Sequence, residues 1–213
     1  MKALKTETTI VRQLRNDIAQ GMLKPGSALL QDELAEQFQV SRVPIRDALK
    51  VLEADGLITF LANRTAIVTV LTAEDIEEIF NIRRMLECDL IRRALVRATA
   101  NDHKAVQIIL RLLDGATSGT QFAKLDREFH TAMYQPARQP RQQVIVDKLG
   151  QQLARFYGST LDFQSYHQVC QGSHHEIAEA FLLRDVDKAT TCLGQHLHLA
   201  QQKILALVAI NKE

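Results

Sequence analysis

From residue 73 to residue 210 nearly everything in this chain reads at a helical period, with breaks at "ATAND", "DGATSG" and "PARQP". That pattern constrains the fold more than any other feature, because apolar residues at i, i+3 and i+4 line one face of a helix and scatter across a strand. The segments fall near 73–98, 101–114, 119–135, 139–158, 163–184 and 186–210. With 46% hydrophobic residues the chain can bury a core in each of two domains. Residues 72–213 are therefore expected to form an all-helical domain.

Residues 1–71 read differently. Ile10, Leu14, Ile18 and Met22 recur every four positions, predicting a helix over 9–22 that ends at Gly21 and the "KPG" of 24–26. A second helix over 31–39 should bury Leu34, Ala35 and Phe38. Ser41 offers a capping hydroxyl for a third, 42–54, closed by Gly56; Pro44 falls in the first turn, where its missing N–H is harmless. After Gly56, "LITFL" and "AIVTV" are β-branched runs around "ANRT", the look of a hairpin. Helix, helix, turn, helix, hairpin is the layout of a winged helix-turn-helix. The fold class expected is thus mainly α, with that module at residues 1–71 and a helical bundle after it.

Lys and Arg total 26 against 25 acidic residues, a net charge of +1, so any basic footprint is local. Cys88, Cys170 and Cys192 form no Cys-x-x-Cys pair, and no apolar run approaches a membrane span. A reducing cytoplasm is the expected location, with neither export nor membrane insertion.

The third helix carries the local footprint. At 100° per residue, Arg46 lies about 40° and Lys50 about 80° from Arg42, whereas Ile45, Ala48, Leu49 and Leu52 cluster roughly between 240° and 340°. The apolar stripe must dock on the first two helices, so the cations face outward. Two arginines one turn apart are as a rule a solvated face. They are also what guanine recognition needs, because the planar guanidinium bonds O6 and N7 together. Lys50 suits a phosphate, and Arg64 at the hairpin tip a minor groove or a phosphate.

The stretch "IAQGMLKPGSALLQDELAEQFQVSRVPIRDALKVLEADGLI" resembles the GntR family of bacterial transcription regulators across the whole N-terminal domain. It carries that family's Pro-Gly, Leu-Ala, Val-Ser-Arg-x-Pro-x-Arg-x-Ala-Leu and Leu-Glu-x-x-Gly-Leu elements. The resemblance implies a regulator of double-stranded DNA with Arg42 and Arg46 as operator contacts; with Ser41, Lys50 and Arg64 these make the expected contact set, and two copies joined as a homodimer would read an inverted-repeat operator. Two departures stand out: Thr65 stands where relatives often have a wing-tip glycine, and Asp32 where some carry a basic residue. Without glycine, the tip must avoid positive φ or accept strain of about 1 kcal/mol.

In the second domain, "FAKLDREFHTAM" puts Asp126 and His130 one turn apart among Phe122, Leu125, Phe129 and Met133. His174 shares a face with Ile177, Ala178 and Phe181, and His196 one with Cys192, Leu193, Leu199 and Ala200. If the chain reverses at Arg184-Asp185, with Asp185 capping the next helix, His174 and His196 each lie eleven residues from Asp185. Both then stand about 16 Å from the turn and can face each other. Each alone is as a rule a hydrogen-bonded core histidine. Together, three imidazoles and a carboxylate suit a divalent metal ion, zinc first, then nickel, manganese or iron. His175 permits a one-residue shift, but it points 100° from the apolar face.

"IRRMLE", "DREFH", "HHEIAEAFLLRD" and "QHL" resemble the FCD domain of the FadR branch of the same family. That resemblance implies a divalent metal held by Asp126, His130, His174 and His196, and a small organic acid as effector. Arg83 then either clamps the far end of the acid or pairs with Glu87 one turn on. The expected function is a ligand-responsive regulator, a repressor by the commoner family habit. Two alternatives stay open: a metal-dependent enzyme using the same four residues, and the same regulator with a metal-free pocket.

Overall fold

The structure is a computed structural model that describes residues 2–159 and 163–210; the outer ends of the two expected domains, 1 and 211–213, lie outside the described residues. The chain divides into two compact units, Met1–Val70 with Gln151–Ser159, and Leu71–Gly150 with Thr160–Glu213.

The first unit contains α1 (Lys2–Ala19), β1 (Ala28–Leu29), α2 (Gln31–Gln37), α3 (Arg42–Ala54), β2 (Ile58–Phe60) and β3 (Ala66–Val68). Helices α1 and α2 pack on α3. Ile10, Leu14, Ile18 and Leu34 meet Ile45, Ala48, Leu49 and Leu52 in one buried cluster, so the apolar stripe of α3 docks as the helical wheel requires. Strand β3 is central: β2 pairs with it antiparallel, Thr59 opposite Ile67, and β1 pairs on its other edge, Ala28 opposite Ile67.

Local differences from the sequence reading have physical causes. Helix α1 starts well before residue 9, because Lys2–Thr8 is rich in good helix formers yet lacks an apolar stripe to announce them. It ends at Ala19, Gly21 turns the chain at φ 73°, and Met22 leaves the stripe to stand 61% exposed. Strand β1 is too short to show an alternating period. Ser41 sits at the N-cap of α3 in extended backbone, but its hydroxyl makes no capping hydrogen bond.

The second unit is helical throughout its described residues: α4 (Ala73–Arg97), α5 (Ala100–Asp114), α6 (Gly119–Tyr134), a 3₁₀ turn (Gln135–Ala137), α7 (Pro140–Ser159), α8 (Phe163–Leu182) and α9 (Val186–Ile210). The last residues of α7 group with the first unit. Thr72 and Asp75 close a reciprocal capping box on α4, and Thr99 and Asp102 another on α5. The α8–α9 hairpin turns at Arg184, φ 57°, and the Asp185 carboxylate accepts the Lys188 N–H at 3.0 Å. Helix α9 packs along both α4 and α8, while α6 lies on α4, α5 and α8. This arrangement aims one face each of α6, α8 and α9 at a shared interior. Leu199, placed on that face from the sequence, is 39% exposed instead; three residues beyond His196, it turns about 60° out of line.

Candidate nucleic-acid interface and metal centre

The outward face of α3 carries its cations in water. The side chains of Arg42, Arg46 and Lys50 are 71%, 56% and 61% exposed. Their partners are loose or equally exposed: Arg42 pairs with Asp32, while Arg46 and Lys50 stand 3.9 and 3.6 Å from Asp47. Ion pairs of this kind contribute only about 0–1 kcal/mol, so they yield readily to a polyanion. Ser41 is exposed, its hydroxyl uncommitted to the helix cap. Val43, which the sequence reading passed over, is 55% exposed between the two arginines; its methyls suit the thymine methyl in a major groove.

The wing tip closes without glycine. Arg64 itself takes the left-handed conformation, φ 65°, and Asn63 Oδ1 accepts the Thr65 N–H at 3.0 Å. The positive φ therefore falls on Arg64 rather than on the position where relatives place glycine. A hollow of about 270 Å³ brings Arg42 and Arg64 together with Asp32 and the start of α2. Helix α3 and the hairpin tip thus share one concavity, lined by two arginines and an aspartate.

In the second unit, α6, α8 and α9 bring Asp126, His130, His174 and His196 together, one donor atom from each lying within 4.8 Å of all the others. Opposite corners of a six-coordinate site with bonds of ~2.1 Å are about 4.2 Å apart, and tetrahedral neighbours about 3.4 Å, so small side-chain rotations close the set on one ion. His174 and His196 face each other with ring centroids 4.6 Å apart, at the equal height that the hairpin spacing predicts. His174 is fully buried and His130 and His196 nearly so, whereas the Asp126 side chain is 27% exposed. The cluster therefore has one wetter side.

The unmet bonding in this cluster bears on what it can hold. His130 Nε2 and both ring nitrogens of His174 are buried without a hydrogen-bond partner in the protein. His174 Nε2 approaches Asp126 Oδ1 to 2.9 Å, but off the line of a hydrogen bond. Buried polar atoms left unsatisfied cost about 1–3 kcal/mol each, an expense that a structural core avoids. Lone pairs converging on one point are what a divalent cation needs, and the nitrogen and oxygen donor set fits zinc, nickel, manganese or iron.

The protonation states favour the same chemistry. Burial pushes against charge on Asp126, yet contact with His174 and the nearby His130 and His196 hold its carboxyl well below the usual range. Burial pushes His130 below the ordinary histidine value, against the pull of Asp126. Burial and then the neighbouring imidazoles push His196 further down. Near neutral pH the site thus presents an ionised carboxylate, with the imidazoles of His130 and His196 neutral.

The other histidines lie elsewhere. His175 points outward, 54% exposed, to Asp114 at 2.9 Å. His103 packs edge-on to Phe181, His167 against Phe122, and His198 contacts Gln202. Arg83 Nε donates to Glu87 Oε1 at 2.7 Å with both side chains largely withdrawn from water, so the ion-pair alternative describes its geometry. Glu87 in turn accepts from Tyr134, which contacts His130. Tyr134, four residues after His130, was visible as a same-face neighbour; Ser173, which touches His196 from a different helix, carried no sequence signal.

A winged helix-turn-helix with an exposed cationic face on its third helix, together with a helical unit that holds an Asp-His₃ cluster, defines a class: transcription regulators with a helical second domain. Residues 6–68 match the gntR family of bacterial regulatory proteins and residues 78–199 match the FCD domain. The chain belongs to the GntR family, among its members with an FCD domain, which are DNA-binding transcription regulators rather than enzymes. It is 33% identical over 122 residues to the uncharacterized HTH-type transcriptional regulator YdhC of Bacillus subtilis, a match spanning 55% of this chain and about half, 54%, of that one. It is 27% identical over 198 residues to the HTH-type transcriptional repressor RspR of Escherichia coli, covering 92% of this chain and 87% of the relative. Among solved structures, a GntR family member from Pseudomonas syringae superposes with a TM-score of 0.62 at 29% identity, over 97% of this chain and 87% of that one. Among the described residues, no helix is long and apolar enough to cross a membrane.

Proposed function

We propose that the protein binds an inverted-repeat operator as a homodimer in the cytoplasm, and that a small organic acid controls this binding from a divalent metal site formed by Asp126, His130, His174 and His196. The observation that carries the reading is the convergence of buried, unpartnered imidazole nitrogens on an ionised carboxylate. A divalent ion bound there supplies a Lewis-acidic anchor for a carboxylate oxygen. Asp126, the most exposed of the four, marks the side from which an acid enters.

On DNA, Arg42 and Arg46 read base edges, Ser41 and Lys50 hold phosphates, and Arg64 reaches from the wing. Two-fold symmetry of the dimer makes the operator an inverted repeat. Acid and operator are linked by a coupling free energy, so an acid that weakens operator binding is itself bound less tightly by the DNA complex. The acid releases the protein from DNA, in keeping with the repressor name of the Escherichia coli relative.

The test is a thermal-shift screen of small organic acids on protein purified without chelator or nickel resin, with metal analysis of the same sample. One equivalent of divalent metal is expected, together with acids that raise the melting temperature only while it is present. Acids that act equally well after chelation would replace the metal centre by a bare polar pocket. If no acid acts in either state, the effector reading fails.

A further inference from the structure

Two of the three histidines in the cluster are held from behind by hydroxyls that have no proton left to give. His130 Nδ1 lies 3.2 Å from the Tyr134 hydroxyl, and that hydroxyl donates to Glu87 Oε2 at 2.6 Å. The other oxygen of Glu87, a fully buried side chain, accepts from Arg83 Nε at 2.7 Å, which fixes the carboxylate as an acceptor. On α8, the Ser173 hydroxyl donates to the Cys170 carbonyl at 2.7 Å and stands 2.8 Å from His196 Nδ1. A carbonyl or carboxylate only accepts, and a hydroxyl carries one proton. Toward each imidazole, Tyr134 and Ser173 can therefore only accept.

We infer that the Arg83–Glu87–Tyr134 chain and Ser173 are positioning groups that lock His130 and His196 in the Nδ1–H tautomer, so that each presents a bare Nε2 lone pair to the cluster. The inference rests on the reading of the four residues as a metal site, and it divides that site unequally. His174 has no hydroxyl behind it: its Nε2 faces the Asp126 carboxylate at 2.9 Å inside the cluster, and the rings of Phe122 and Phe129, at 6.0 and 5.2 Å, flank it. Two ligands are set from behind by hydroxyls, and the third by ring packing and the cluster's own carboxylate. Fixing a ligand's tautomer from behind is what keeps it ready for an ion without a proton shift.

The tautomers can be read without any metal, by imidazole ¹⁵N chemical shifts of the labelled full chain in chelator above neutral pH. Wild type is expected to show protonated Nδ1 and bare Nε2 at His130 and His196. Tyr134→Phe should disturb His130 alone, and Ser173→Ala His196 alone. Each should weaken zinc binding, measured against a competing chelator, by about 10- to 100-fold at unchanged stoichiometry. Glu87→Gln tests the proton count directly. With its amide oxygen kept on Arg83, its NH₂ donates to Tyr134, whose proton then turns to His130 Nδ1 and moves the imidazole proton onto Nε2.

That reversal is not expected of a residue that merely packs, and it keeps the inference open to refutation should Tyr134→Phe fail to fold. Nε2-protonated His130 or His196 in wild type overturns the inference, as do tautomers and zinc affinity unmoved by these variants. Failure of the metal reading looks different: the tautomers are as stated, but wild type takes up no zinc.

Discussion

The third helix and the histidine cluster both set ionisable side chains one turn apart on a helix, yet they treat water in opposite ways. Arg42, Arg46 and Lys50 keep more than half of each side chain exposed, whereas His174 is completely buried and His130 nearly so. A surface proposed to exchange single carboxylates for a polyanion gains from loose partners such as Asp32 and Asp47. A centre proposed to hold a small ion gains from being dry and arranged in advance, because lone pairs with no other partner have nothing to give up. The difference teaches where each kind of mutation should register: in affinity alone on α3, and in affinity coupled to stability in the cluster.

The largest effect should come from the cluster. His174→Ala removes a donor outright, so zinc affinity should fall by more than the roughly 100-fold upper range for a supporting residue. The rise in melting temperature on adding zinc to wild type should vanish with it. Competition against a chelator and paired thermal melts measure both. A variant that keeps its zinc and loses only stability would reduce His174 to a packing residue and break the contrast between the two regions.

Next come Arg42→Ala and Arg46→Ala. Each should lower the preference for cognate over scrambled duplex by about 10- to 100-fold, the range for one bidentate base contact. Stability should change by no more than about 0.5 kcal/mol, as for other surface substitutions. Fluorescence anisotropy on both duplexes with parallel urea melts separates the two quantities. A large loss of stability at either arginine would place it in the scaffold instead of the reading face.

Periodicity found α3, its buried stripe and the all-helical second unit, because each depends on apolar residues repeating along one element. The facing of His174 and His196 was legible for the same reason: equal distances from one turn are a property of the chain. What stayed hidden depends on contacts or on backbone. The two-residue β1 has no period to read, and the left-handed tip at Arg64 shows only in φ. The Ser173 contact joins α8 to α9 through a single hydroxyl. Glu87 was read as a partner for Arg83, but its second bond, to Tyr134 on another helix, needed the packing of α4 on α6.

Acid sharpens the comparison further. His130 and His196 have folded-state values held below the ordinary one, chiefly by burial. As pH falls below about 6.5, the unfolded chain takes up protons that the folded chain refuses, so stability drops by up to about 1.4 kcal/mol per pH unit for each such histidine. The decline stops only once the folded-state values are passed. Zinc competes with protons on the folded protein, so His130 and His196 should cost it little affinity just below pH 6.5, where metal-free stability is already falling. Urea midpoints of chelated protein and zinc titrations at matched pH test this. Parallel declines in both quantities would mean that the histidines are not held neutral.

The wing adds a third case, a cation in water on a strained backbone, and the smallest effect. Arg64 holds φ at 65°, where a side chain costs about 1 kcal/mol relative to glycine. Arg64→Gly should therefore raise stability by up to that amount, and Arg64→Ala should not. Both should weaken operator binding alike and flatten its salt dependence by about one phosphate contact. Equal losses in binding, measured across a salt series beside denaturant melts, assign the wing's contribution to the guanidinium. Full affinity in the glycine variant alone would assign it to the shape of the tip, with Asn63 and its bond to the Thr65 N–H holding that shape.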